Sequence, residues 1–324
     1  MKAFVTGGNG FLGGAIVSAL RKAGHEATAA SRATGVDIGD ADSVKRSMEG
    51  HDIVFHVAAK TGVWGPPAEF ERTNVVGTEN VLAACRSTGV SRLVFTGSPS
   101  CVFDGKDHRN AGNDLPYPTT FESDYPRTKA ISEAMIKAAN GPQLATVSIR
   151  PHLIWGPRDP HLLPRLVTRA RQGRLRIIGD GTNEVSITYI DNAAAAHLQA
   201  AAALAPGSAC AGQAYFVNDA EPVQLWDWLN RFLGELGIAP ITASLPLSTA
   251  RTLGGALEFV YRTLRLSGEP PITRFVASQL ATSHSYDLGP ARRDFGYAPP
   301  VDAETAFLTT ISAWKASLST GAHR

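Results

Sequence analysis

Directly after an apolar opening run, residues 2–6, the chain reads Thr6-Gly7-Gly8-Asn9-Gly10-Phe11-Leu12-Gly13. No other stretch restricts the fold as much. Glycines at 7, 10 and 13 let a backbone turn tightly, approach a pyrophosphate and pack closely on the helix that follows. That helix, expected over 11–23 from its apolar spacing, offers unspent N–H groups and the positive end of its dipole at its start. A glycine string alone would be only a loop; between a strand and a helix it is a dinucleotide-binding turn.

The rest of the first half agrees. Apolar or β-branched runs at 2–6, 26–31, 53–57, 93–96 and 145–150 alternate with helical spacing near 11–23, 40–48, 69–88 and 123–139. Asp40 and Ser123 stand where N-caps belong. This alternation predicts βαβ units and an α/β fold, a doubly wound parallel sheet of the Rossmann kind. After Pro151 it breaks into a proline-rich passage, 155–164. The runs 185–190 and 214–218 are expected to return to the sheet, the first leading into a helix capped by Asp191. The predicted division is a dinucleotide-binding domain of 1–151 and 186–220, and a smaller, mainly helical substrate lobe of 152–185 and 221–324.

A net charge of +2 and no basic run argue against a nucleic-acid partner. Without a charged leader ahead of an apolar stretch, a cytoplasmic protein is expected. The most apolar segment, 193–205, is broken by His197 and Gln199 and is too short to span a bilayer. Cys85, Cys101 and Cys210 form an odd set without metal-ligand spacing, so buried free thiols and no metal are expected.

The second strand ends in Ala29-Ala30-Ser31-Arg32. An NAD site would usually carry an acid here for the ribose 2′-hydroxyl; Arg32 instead suits a 2′-phosphate, which favours NADP(H). A plain surface arginine is the alternative. Asp37-Ile38 follows where the adenine would lie. Further on, Tyr125-Pro-Arg-Thr-Lys129 sets a phenol and an ammonium on one helical face. A neighbouring lysine, with a cationic nicotinamide in the oxidised state, is expected to lower the phenol's pKa. In the reductive direction the neutral phenol donates its proton to the oxygen formed by hydride attack. Ser98, just past the strand at 93–96, is expected to polarise that carbonyl, with Ser100 as its competitor.

The turn at 6–13, His56-Val-Ala-Ala59, Asn74-Val-Val-Gly-Thr78, Ser98, Tyr125 with Lys129, and Arg150-Pro151 together resemble the extended short-chain dehydrogenases, in order and over most of the chain. Arg150-Pro-His-Leu-Ile-Trp-Gly-Pro157, Leu162-Leu-Pro-Arg165, Gly179-Asp-Gly181 and Tyr189-Ile-Asp-Asn192 resemble the 3β-hydroxysteroid dehydrogenase branch. Residues 57–64, 153–165 and 291–297 resemble the bacterial 2-alkyl-3-oxoalkanoate reductases of long-chain olefin biosynthesis. The resemblance implies catalysis by Ser98, Tyr125 and Lys129. It implies NADP(H) contacts from Gly7, Asn9, Gly10, Phe11, Leu12, Gly13, Ser31, Arg32, Asp37 and Ile38. Further contacts would come from Ala58, Ala59, Lys60, Asn74, Tyr125, Lys129, Pro151, Leu153 and Ile154. Two departures are Cys101, where valine is common, and Pro99 in the serine loop.

The implied reaction is NADPH reduction of a 3-ketone flanked by a carboxylate and an alkyl branch. The substrate would be a hydrophobic keto acid or a sterol-like molecule. Arg158, His161, Arg165 and His152 are candidate partners for a carboxylate, each equally readable as an ordinary loop charge. A sterol 3β-hydroxy dehydrogenase, a nucleotide-sugar epimerase and a non-catalytic NADP(H)-binding protein remain the other readings. A homodimer is expected. Over 248–266, apolar residues at 253, 257, 260, 261 and 264 form a helical stripe. It suits an alkyl tunnel, a membrane surface or a multi-enzyme partner, with packing against the sheet domain as the default.

Overall fold

The computed structural model describes residues 1–319. Six parallel strands make the main sheet: β1 (Lys2–Thr6), β2 (Glu26–Ala30), β3 (Ile53–His56), β4 (Arg92–Thr96), β5 (Ala145–Pro151) and β6 (Ala214–Val217). Their order is β6-β5-β4-β3-β1-β2, so the winding reverses between β1 and β3. A crevice opens at such a reversal, beyond the strands' C-terminal ends.

Both faces of this sheet are covered, and the strand period of two decides which residue goes where. Ala3, Val5, Ile53, Phe55 and Val94 join the core beneath α1 (Phe11–Lys22) and a later helix, Ile190–Ala203. Phe4, Val54, Leu93 and Phe95 join the opposite core, under α2 (Ala41–Met48) and the helical segment 67–88, α3. The α3 segment runs through Pro67–Phe70 and Gly77–Thr88, with a wide π turn at Glu71–Val76 between them. Helix α4 (Asp124–Ala138) packs beside α3 and carries Tyr125 and Lys129. Asp40 caps α2 as expected, accepting from the Asp42 and Ser43 amides. Ser123 does not cap α4; its hydroxyl donates to the Val63 carbonyl at 2.8 Å instead.

The run at 214–218 returns to the sheet as β6, but 185–190 does not. Glu184–Val185 joins a four-stranded side sheet with Val223–Gln224, His284–Tyr286 and His108–Ala111, while Thr188–Tyr189 pairs with Ile154–Trp155. A β-branched run marks a strand without marking its partner. Asp191 lies inside the first turn of its helix, whose cap position is Tyr189; the Tyr189 amide is held by Asp219 at 2.9 Å.

The remaining helices are α5 (Leu162–Arg171), α6 (Ile190–Ala203), α7 (Leu225–Glu235), α8 (Leu247–Thr263), α9 (Arg274–Ala281), α10 (Gly289–Phe295) and α11 (Ala303–Ser319). Helix α8 overturns the expectation that its apolar stripe packs inward. It buries Ala250, Gly254 and Glu258 against α9, because a Cβ on Gly254 would meet the Arg274 amide at 2.8 Å. Leu253, Phe259 and Leu264 face outward, 47%, 70% and 64% exposed. No helix among the described residues is long and apolar enough to cross a membrane.

Candidate active site

The glycine turn forms as its sequence requires. Gly7 has φ +68°, a value that L side chains avoid, and a Cβ there would touch Ala58 at 3.0 Å. A Cβ on Gly13 would sit 2.1 Å from the Gly7 carbonyl oxygen, so only glycine lets α1 start this close to the turn. No side chain caps α1, which leaves its first amides for a ligand. Thr6 braces the floor: its hydroxyl accepts from the Val57 and Ala58 amides and bonds His56, which in turn meets Thr78. These residues fit the pyrophosphate of a dinucleotide.

At the end of β2, Ser31 donates to Asn9 at 2.8 Å. A cleft of about 480 Å³ opens here, walled by Arg32, Asp37, Ile38 and Ala58 to Lys60. The Arg32 guanidinium makes no ion pair among the described residues. A second arginine in the cleft, Arg72, escaped the sequence reading; it pairs with Asp37 at 2.6 Å and holds that carboxyl below its usual range. Asn74 stands behind the cleft wall, bonded to its Lys60 edge. It is buried, its amide bonds both backbone groups of Lys60 and the Thr128 hydroxyl, and it lines neither cleft. Its work is to hold the Ala58–Lys60 edge in place.

The catalytic candidates meet in an adjoining cavity of about 450 Å³ that also touches Gly10 to Gly13, Pro151, Leu153 and Ile154. Ser98 and Ser100 both line it and share a hydrogen bond at 2.8 Å. Burial pushes the Tyr125 phenol above its usual pKa, and the Ser98 hydroxyl works against that rise. The net direction is upward, because burial dominates where the sequence led one to expect lowering by the lysine and an oxidised nicotinamide. Lys129 is instead buried, donates to the Thr96 carbonyl at 2.6 Å and sits 4.0 Å from the Phe95 ring centre. Burial lowers its pKa to about 8, with Glu133 opposing.

One helical turn beyond Lys129, the same face of α4 carries Glu133, fully buried. It accepts from Arg150 Nε at 2.9 Å and from the Tyr117 phenol at 2.7 Å. Burial would raise the Glu133 pKa, but the Arg150 charge and its hydrogen bonds outweigh that and hold it low. Arg150 also lies over the Phe216 ring. A Cβ on Gly97 would meet Glu133 Oε2 at 2.7 Å, so Gly97 lets the serine loop rest on this ion pair. Neither charge was readable as a buried partner, since they are brought together only by packing of α4 on β5.

The cavity's far wall holds His152, Phe275 and Gln279. Of the other charges proposed for a carboxylate, His161 lines the cavity, Arg158 lines a separate groove beside α1, and Arg165 is paired with Glu269. Among the described residues no cluster of metal-ligating side chains occurs.

Comparison with known proteins is consistent with this architecture. Residues 26–247 match the 3-beta hydroxysteroid dehydrogenase/isomerase family. The chain is 47% identical to the 2-alkyl-3-oxoalkanoate reductase of Stenotrophomonas maltophilia, covering 94% of this chain and 96% of that one. It is 43% identical to the protein of the same name from Shewanella oneidensis, covering 93% and 83%. Its fold matches that of DesIV, a dTDP-glucose 4,6-dehydratase from Streptomyces venezuelae solved with NAD, with TM-score 0.76, 21% identity and full coverage of both chains.

Proposed function

The chain belongs to the 3-beta hydroxysteroid dehydrogenase/isomerase family and is an oxidoreductase working between a ketone and a hydroxyl group; from this premise we propose that it uses NADPH to reduce a 2-alkyl-3-oxoalkanoate to the 2-alkyl-3-hydroxyalkanoate, a step of long-chain olefin biosynthesis. The observation that carries the proposal is the single cavity in which Ser98, Tyr125 and Lys129 meet beside the glycine turn. Likeness to the two reductases supports the substrate class. NADPH rather than NADH is supported by the uncommitted Arg32 and by a β2 end that has no acid.

Bound NADPH would supply the hydride. The chain's own residues handle the oxygen. Ser98 and Tyr125 hydrogen-bond the ketone oxygen, and Tyr125 passes its proton to it as negative charge grows there. A phenol whose pKa is raised by burial is protonated at neutral pH, as a donor must be. Lys129, fixed by the Thr96 carbonyl, stands one helical turn behind it, placed to hold the coenzyme and to relay a replacement proton. Sugar dehydration is disfavoured, because Pro99-Ser100 supplies no acid beside the hydroxyl.

The test is Tyr125→Phe assayed with NADPH and such a ketone. NADPH should bind as it does to the parent protein while turnover falls by about 10²- to 10⁴-fold. Near-parental turnover would remove Tyr125 as the acid.

A further inference from the structure

The candidate substrate carries a carboxylate two carbon–carbon bonds from the ketone oxygen's carbon, and the cavity contains few groups able to receive it. Lys129 gives one donor to the Thr96 carbonyl and the rest to the coenzyme in the reading above, and Asp159 spends its oxygens on the amides of His161, Leu162 and Leu163. His161 is solvent-exposed at the rim. His152 is buried, lines the same cavity as Ser98, and is wired to a second histidine.

The wiring fixes where protons sit. The Gln279 carbonyl can only accept, so His284 Nε2, 2.9 Å away, carries a hydrogen. In a neutral ring His284 Nδ1 is then an acceptor, so His152 Nε2, 3.0 Å from it, carries the next hydrogen. His152 Nδ1 is left over. It makes no hydrogen bond, yet it is not among the fully buried unpaired atoms, so it keeps accessible surface on a residue that lines the cavity. Adding one proton to the pair turns that nitrogen from an acceptor into a charged donor without breaking either existing bond.

The position also suits the substrate. Thr96 pairs with Ile149 across β4 and β5; Ser98 follows that pair by two residues and His152 by three, and both line the cavity. Neighbouring strands lie roughly 4.8 Å apart. A ketone oxygen at Ser98 therefore leaves a carboxylate two bonds away within reach of His152.

We propose that His152, backed by His284, is the binding site for the substrate carboxylate, and that the pair takes up one proton from solvent as the acid binds. The proposal rests on the 3-oxo acid reading above. Burial holds His152 well below the usual histidine pKa and brings His284 to about 4, so the empty pair is neutral at pH 7. The groups facing it are the Tyr286 ring edge, His108 and Asp107 beyond His284, Lys129 across the cavity and the amide-bound Asp159. None of these supplies a free anion that would hold the extra proton in the empty site.

The experiment runs in the oxidative direction, since 3-oxo acids lose CO₂ readily. A 2-alkyl-3-hydroxyalkanoate and its methyl ester are compared with NADP⁺, following NADPH formation. His152→Asn should lower kcat/KM for the acid by about 10- to 100-fold, mainly through KM, and for the ester by less than about threefold. In the parent protein, KM for the acid should rise about tenfold per pH unit near neutrality, with a flat profile for the ester. Calorimetry of the acid binding to the enzyme with NADPH, in two buffers of different ionisation heat, should register uptake of one proton, and this needs no variant. Equal losses for acid and ester, a pH-independent KM, or no proton uptake would overturn the carboxylate site while leaving ketone–alcohol chemistry intact. Failure of the parent protein to turn over either compound would overturn the substrate reading and this site with it.

Discussion

The two walls of the active-site crevice are built in different ways. The coenzyme wall is made of backbone: Gly7, Gly10 and Gly13, the start of α1 and the edge at Ala58, all set by residues within a few positions of each other or on adjacent strands. The opposite wall rests on side chains from distant parts of the chain: His152 backed by His284, 132 residues apart, and the buried Glu133–Arg150 pair behind the serine loop. The first wall tolerates almost no added atom. The second depends on charges and protons that must be matched inside a dry interior.

That contrast can be broken from either side. The largest effect should come from Gly13→Ala, whose new Cβ falls 2.1 Å from the Gly7 carbonyl oxygen. Loss of NADPH binding or of soluble protein is expected, read by fluorescence titration and expression; parental binding would mean the turn is far softer than its geometry. Next, Glu133→Gln leaves the buried Arg150 guanidinium uncompensated and should lower stability by about 3–5 kcal/mol, measured by denaturant unfolding. A loss under about 1 kcal/mol would show that water reaches the pair.

Smaller effects sharpen the comparison. His56, His197 and His284 are buried neutral, with burial bringing their pKa values to about 3, 4 and 4. Because the folded values lie below the unfolded value near 6.5, the unfolded chain binds more protons as the medium acidifies. Stability should thus be intact above about pH 6.5 and fall as pH drops toward 4, by at most about 1.4 kcal/mol per pH unit for each histidine. A thermal midpoint unchanged between pH 7 and 5 would contradict this. Arg32→Asp should shift coenzyme preference from NADPH toward NADH by about tenfold or more in the ratio of kcat/KM values. Equal changes for the two coenzymes would free Arg32 from the 2′-phosphate. Least of all, Phe259→Glu on the outer face of α8 should alter stability by no more than about 0.5 kcal/mol.

Legibility in the sequence follows the same division. The glycine turn, the six main strands and the Asp40 cap could be read because each is decided by neighbours in sequence. The Tyr125–Lys129 spacing was equally local. The partner of the 185–190 run was not readable, since alternation names a strand and leaves its sheet open. Arg72 on Asp37 and His284 behind His152 needed the fold itself to bring them close. In α8 the helical stripe was legible and its facing was not: Gly254 and Ala250 let α9 approach closely, and Leu253, Val260 and Leu264 are turned outward.

The cysteines offer a practical sequel. Cys85, Cys101 and Cys210 are all buried, on one flank of the sheet, within the serine loop and ahead of β6 respectively. Burial drives the Cys85 thiol up to about 12 and Cys101 higher still, so neither reacts while the fold is closed. Alkylation must then wait for the molecule to open, and mapping which thiol is modified first by mass spectrometry would time the breathing of each region separately.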